Sequence, residues 1–100
     1  MTLLEKHISQ INKLCLDHNV KELYAFGSIL TPHFNKESDV DLVVDFDPID
    51  TDHYVDNYYD FKFSLEDMLK RPIDLLEDKA IKNPYFRHSI NQQRKLIYGH

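Results

Sequence analysis

The sequence predicts a small α/β (α+β) fold, a mixed sheet of about four strands with helices packed on one face. Three observations carry this expectation. The runs VKELYAF and SDVDLVVDF place apolar residues at every second position, the period of a strand. Residues 3–18 and 51–69 place them every three to four positions, the period of an amphipathic helix. Two further β-type runs, PIDLLE and KLIY, follow the second helical stretch. With 100 residues, the chain can bury one core and has little left for a second module, so residues 1–100 are expected to form one domain.

The elements follow in order. Thr2 and Glu5 have capping-box spacing, and Leu4, Ile8, Ile11, Leu14 and Cys15 recur at helical intervals, which predicts a helix to about His18. VKELYAF is a first strand ending at Gly27. Pro32 and its polar neighbours make residues 28–37 a short helical turn and a loop. In SDVDLVVDF, Val40, Leu42, Val44 and Phe46 share one face, while Asp39, Asp41, Val43, Asp45 and Asp47 share the other. After an acidic turn, a long helix ends before Pro72. PIDLLE is the third strand. Asn83 and Pro84 read as the cap and first position of a short helix to about Gln92, and KLIY is a fourth, edge strand.

Composition excludes several function classes. A net charge of about -5, with no Lys/Arg cluster, repels a phosphate backbone, so direct nucleic-acid binding is not expected. No apolar run approaches the roughly 20 residues that span a bilayer, and one cysteine with no signal peptide fits a reducing cytoplasm. The six histidines lack the paired spacing of a zinc site. Cys15 shares the apolar face of the first helix and reads as core packing. Tyr54, Tyr58, Tyr59, Phe61 and Phe63 read first as core, with some left to meet a partner. Asp45 and Asp47 read as solvated.

The chain has only two glycines, and one of them, Gly27, stands where a strand ends. Glycine accepts backbone angles closed to other residues and permits main chain to approach a ligand. Ser28 adds a hydroxyl and, if it opens a helix, unpaired N–H groups that favour an anion. Alone, Gly-Ser is most often only a turn. Asp39 and Asp41 lie two apart, so on a strand their Cα atoms are about 6.6 to 6.8 Å apart with both carboxylates on one side. Clustered aspartates are disfavoured in a sheet unless a cation sits among them. Magnesium, a hard cation that takes carboxylate oxygens, water and substrate phosphates, fits the pattern; a solvated face is the plain alternative. Asp74 inserts a third carboxylate into an apolar strand of the same sheet, with an outward edge position as its alternative.

Gly27-Ser28, ten residues, Asp39-Val40-Asp41 and then Asp74, set within LYAFGS, SDVDLVVDF and KRPIDLLE, resemble the polymerase β-type nucleotidyltransferases. At this length the chain is similar to minimal nucleotidyltransferases, the antitoxin halves of HEPN/MNT toxin–antitoxin pairs. The resemblance implies that Gly27 and Ser28 hold nucleotide phosphates. It further implies that Asp39, Asp41 and Asp74 hold two Mg2+ ions, and that AMP passes from ATP to a hydroxyl, such as a tyrosine, of a HEPN ribonuclease toxin bound in a hetero-oligomer. Two alternatives share these residues: a non-catalytic antitoxin that masks its toxin by binding, and a small-molecule, aminoglycoside-type nucleotidyltransferase. Many relatives carry basic residues soon after Gly-Ser, whereas this chain has Ile29, Leu30, Thr31, Pro32 and His33. Either Lys36, Arg87 or a partner supplies that charge, or the fold and metal ligands are kept without useful turnover.

Overall fold

The computed structural model describes residues 2–99, with Thr2 given by its backbone alone. The first helical stretch is two helices, α1 (Thr2–Lys6) and α2 (Ile8–Asp17). They meet at His7, whose φ of -113° and ψ of 16° leave the helical range and whose N–H bonds the Leu4 carbonyl three residues back. The expected capping role of the Thr2 side chain lies outside the described residues. Strand β1 (Val20–Phe26) runs into a 3-10 turn at Gly27–Leu30, and β2 is Val40–Phe46. Helix α3 (Thr51–Leu69) stops at Lys70, which adopts the left-handed conformation (φ 57°) and returns its N–H to the Glu66 carbonyl. Strand β3 (Ile73–Glu77), a 3-10 turn at Asp78–Ala80, α4 (Pro84–Gln93) and β4 (Lys95–Tyr98) complete the order. The Asn83 side chain caps α4 by accepting from the N–H groups of Tyr85 and Phe86, with Pro84 at the first helical position.

The four strands form one mixed sheet in the order β3-β2-β1-β4. β1 is antiparallel to both β2 and β4, and β2 is parallel to β3. A parallel pair needs a crossover, which α3 provides. Val40, Leu42, Val44 and Phe46 of β2 are buried against Leu4, Ile11 and Cys15 on one side of the helical layer and Phe61, Leu65 and Leu69 on the other. Phe61 is wholly buried and meets Phe46 edge-on at 6.0 Å; truncating such a ring destabilises a core by about 3 to 5 kcal/mol. Burial pushes the Cys15 thiol up to about 12, as its packing role implies.

Helices α1 to α3 thus cover one face, as expected. The other face is closed in its middle by α4. Tyr24, Val43 and Leu76 align across β1, β2 and β3 on this face, and Val43 and Ile90 of α4 are 0% and 2% exposed although both stand outside the main core. Arg94, just after α4, lays its guanidinium 4.1 Å from the centre of the Tyr24 ring. At the sheet edge, Glu66 accepts from the Ile73 N–H and the Tyr58 hydroxyl donates to the Leu75 carbonyl. These bonds from α3 occupy outward-facing backbone groups of β3 and blunt it against further strand pairing.

Candidate active site

The part of the second face that α4 leaves open carries the carboxylates. Asp41 stands second in β2, in register with Asp74 of β3 on one side and Phe26 of β1 on the other. Residues in register across a parallel pair point to the same face, so Asp41 and Asp74 share one side of the sheet. Asp39 lies just before β2 begins and is exposed, as is Asp74, while Asp41 is half-buried. Burial first, then the charge of Asp74 and then that of Asp39, hold the Asp41 carboxyl above its ordinary range. Asp74 and Asp39 are therefore each near enough to repel Asp41.

Gly27 supplies the wall of this site. Its φ of 74° lies in the left-handed region, and a Cβ placed on it would stand 2.6 Å from Asp41 Oδ2. Backbone thus approaches the carboxylate where any other residue would displace it. Ser28, half-buried, opens the turn that follows, and its carbonyl accepts from both the N–H and the hydroxyl of Thr31.

The loop that delivers Asp39 is held from a distance. Arg71, three residues before Asp74, donates through Nη1 to the carbonyls of Asn35 (2.7 Å) and Ser38 (2.9 Å). Its guanidinium also lies 4.5 Å from the centre of the Phe34 ring. The Asn35 side chain bonds the Glu37 N–H, and Ser38 Oγ bonds the Asn35 N–H, so the loop braces itself as well. Sequence reasoning did not single out Arg71. Its contacts are 33 and 36 residues away in the chain, and the local sequence around a lone arginine carries no sign of such partners.

Two other expectations change. Arg87 is not available to a phosphate at the Gly-Ser turn, because it is bound to Asp78 Oδ1 at 2.6 Å and to the carbonyls of Asp78 and Ile81. Asp45 is not solvated. The 3-10 turn after β3 brings Lys79 Nζ within 3.6 Å of its Oδ1 and leaves its side chain 14% exposed, whereas Asp47 is exposed as expected. The core assignment holds for Phe61 and fails for Tyr59 and Phe63, which are 46% and 56% exposed.

The donor set suits a hard divalent cation. It is all carboxylate, Asp41 is repelled by the other two, and among the described residues no Lys, Arg or His pairs with Asp39, Asp41 or Asp74. Among the same residues no three acidic, imidazole or thiolate side chains are already drawn into coordinating geometry. The fit is one of chemistry and placement, with side-chain rotation left to complete it.

The family model "Polymerase beta, Nucleotidyltransferase" matches residues 9–100. The chain belongs to that family. A curated relative from Methanocaldococcus jannaschii, named "putative protein adenylyltransferase", is 33% identical over 101 residues, covering 93% of this chain and 98% of the relative. Solved structures share the polymerase β-like fold. One, a toxin–antitoxin with AMP-PNP, superposes with a TM-score of 0.72 at 22% identity, over 93% of this chain and 73% of that one. Another, the complex of a tri-AMPylated HEPN toxin from Shewanella oneidensis with its MNT antitoxin, gives 0.66 at 20% identity over 96% and 72%. Among the described residues of this family member, no helix is long and apolar enough to cross a membrane.

Proposed function

We propose that this nucleotidyltransferase transfers AMP from ATP to a hydroxyl, such as a tyrosine, of a HEPN-type toxin, and neutralises it as the antitoxin of the pair. The observation that carries this reading is Asp41, held between Asp74 and the backbone of Gly27 with no cation beside it among the described residues. Asp39, Asp41 and Asp74 would hold two Mg2+ ions, and Gly27 and Ser28 the outer phosphates of the nucleotide. Bound there, the metal would supply positive charge to the oxygens of the reacting phosphoryl group. In this reading an Asp74 oxygen accepts the proton of the attacking hydroxyl. The oxygen of that hydroxyl, freed of its proton, then bonds the α-phosphorus as the bond to the leaving pyrophosphate breaks. In this reading residues 1–100 act as one minimal catalytic domain, and the partner completes the acceptor side. The soluble compartment is the cytoplasm.

The test is incubation of the purified chain with Mg2+, α-labelled ATP and its cognate helical toxin, followed by mass spectrometry of both proteins. Labelled AMP on a toxin hydroxyl, lost with Asp41→Asn, is the expected result. Protection of cells by Asp41→Asn as complete as that of the parent overturns transfer in favour of masking.

A further inference from the structure

The outward side of α3 is apolar where a solvated helix would be polar. Val55, Tyr59 and Phe63, four residues apart along one stripe, are 59%, 46% and 56% exposed. Tyr59 packs against Phe63 with ring centres 5.6 Å apart and meets Tyr58 edge-on at 5.0 Å, so the rings form a continuous surface rather than scattered apolar residues. Helical geometry sets Asp52 within the stripe, Asp56, Asp60 and Asp67 along one flank and Lys62 along the other; all four aspartates are exposed, and Asp67 lies 3.6 Å from Lys70. Beside the stripe, between α3 and the edge of β3, lies a groove of about 340 Å³ lined by Tyr54, Val55, Tyr58, Tyr59 and Glu77. Its aromatic walls are fixed from behind, since the Tyr54 hydroxyl donates to Glu77 and the Tyr58 hydroxyl to the Leu75 carbonyl.

We propose that this face docks an amphipathic helix of a partner protein, whose apolar seam covers Val55, Tyr59 and Phe63 and which places one arginine or lysine in the groove. The charge selects the occupant. A second copy would bring the same aspartates against themselves in a chain of net charge -5, whereas a helix with Lys or Arg beside its seam neutralises the flank. Tyrosine rings closing on a carboxylate form a slot for a cation with an apolar stem, which takes both cation–π and ionic attraction. α3 packs on the core face of the sheet, opposite Asp41. Docking on the stripe therefore leaves Asp41 uncovered, although Tyr58 of the groove also feels the charge of Asp74.

The test uses the whole chain, isotopically labelled, and two synthetic helical peptides with one leucine seam, flanked in the first by arginine and lysine and in the second by glutamate. The basic peptide is expected to shift amide resonances of α3 and of the β3 edge, to weaken with salt, and to bind at least about tenfold more tightly than the acidic one. Phe63→Asp and Tyr59→Ala, both at exposed positions, are expected to weaken it at least about tenfold with the amide spectrum otherwise kept. Asp41→Asn is expected to leave it unchanged, which separates this surface from the catalytic reading. Equal binding of both peptides, no binding of the basic one, shifts mapped elsewhere, or sedimentation of the free chain as a dimer that Phe63→Asp dissolves would each overturn the proposal.

Discussion

The two ends of one face of β2 treat the same side chain in opposite ways. Asp41 and Asp45 point from the same strand to the same side, separated by two positions on either side of Val43. At the Asp45 end the protein brings its own cations: Lys79 lies 3.6 Å from Asp45, and Arg87 and Arg94 lie 2.6 and 3.4 Å from Asp78. At the Asp41 end it adds more negative charge, from Asp74 and Asp39, and presses the carboxylate against Gly27. A fold that neutralises its acids at one end and gathers them at the other leaves repulsion that a bound cation would relieve. The difference separates carboxylates that the protein pairs with its own cations from carboxylates that it leaves beside one another.

The largest break in this comparison is Asp41→Asn. Removing the charge at the centre of the acidic group is expected to lower AMP transfer by on the order of a hundred- to a thousandfold, the scale of losing one essential electrostatic contact in a catalytic site, measured as initial rate at saturating ATP and Mg2+. Asp45→Asn is expected to leave the rate within about threefold, well below one pKa unit's worth of interaction. Equal losses at the two positions would erase the distinction between the ends. Next comes Gly27→Ala. Its left-handed φ of 74° imposes about 1 to 2 kcal/mol on a residue with a side chain, read by urea unfolding. The Cβ also forces Asp41 Oδ2 to rotate away, so the rate should fall with the stability. In an Asp41→Ala background that second conflict is gone, and only the backbone term should remain.

Much of this was legible in the sequence. The alternation in VKELYAF and SDVDLVVDF gave β1 and β2 because Val40, Leu42, Val44 and Phe46 must all turn to one core, and Asn83-Pro84 gave the start of α4 because cap chemistry is local. Gly27 could be singled out because a strand end in a chain so poor in glycine invites a conformational reason. What could not be read depends on contacts distant in the chain. The position of α4 over Val43 hides behind an alternation that looked purely acidic, although one valine among aspartates was its trace. Neither the pairing of Lys79 with Asp45 nor the clamp of Arg71 on Asn35 and Ser38 follows from spacing. Tyr59 and Phe63 looked like core because periodicity reports a helix face without saying what covers it.

A smaller effect sharpens the contrast through pH. Because the Asp41 pKa is raised, there is a window between the ordinary carboxylate value and the raised one in which the folded chain keeps a proton that the unfolded chain has released. Stability of the metal-free protein therefore falls as pH rises through that window and is recovered below it. Asp41→Asn removes the effect, so the variant should melt higher than the parent at neutral pH. The two should converge once pH falls below the carboxylate range. Millimolar Mg2+ should raise the parent's midpoint more than the variant's, since only the parent offers the full set of carboxylates. A variant that melts lower than the parent at neutral pH would show that Asp41 is compensated after all.

The smallest expected effect lies at the other end. Lys79 is 70% exposed while its partner Asp45 is 14% exposed, with an Oδ1 that is buried and accepts no hydrogen bond among the described residues. An ion pair with one exposed member contributes about 0 to 1 kcal/mol. Lys79→Ala should accordingly lower stability by less than about 1 kcal/mol, with a dependence on salt that the parent shows and the variant lacks. AMP transfer should be untouched. The sign matters more than the size: neutralising Asp41 should stabilise the fold, whereas removing the cation beside Asp45 should destabilise it. If Lys79→Ala were instead to raise the unfolding midpoint in urea, Asp45 would be as uncompensated as Asp41, and the division of the face into a structural end and a ligand-binding end would fail.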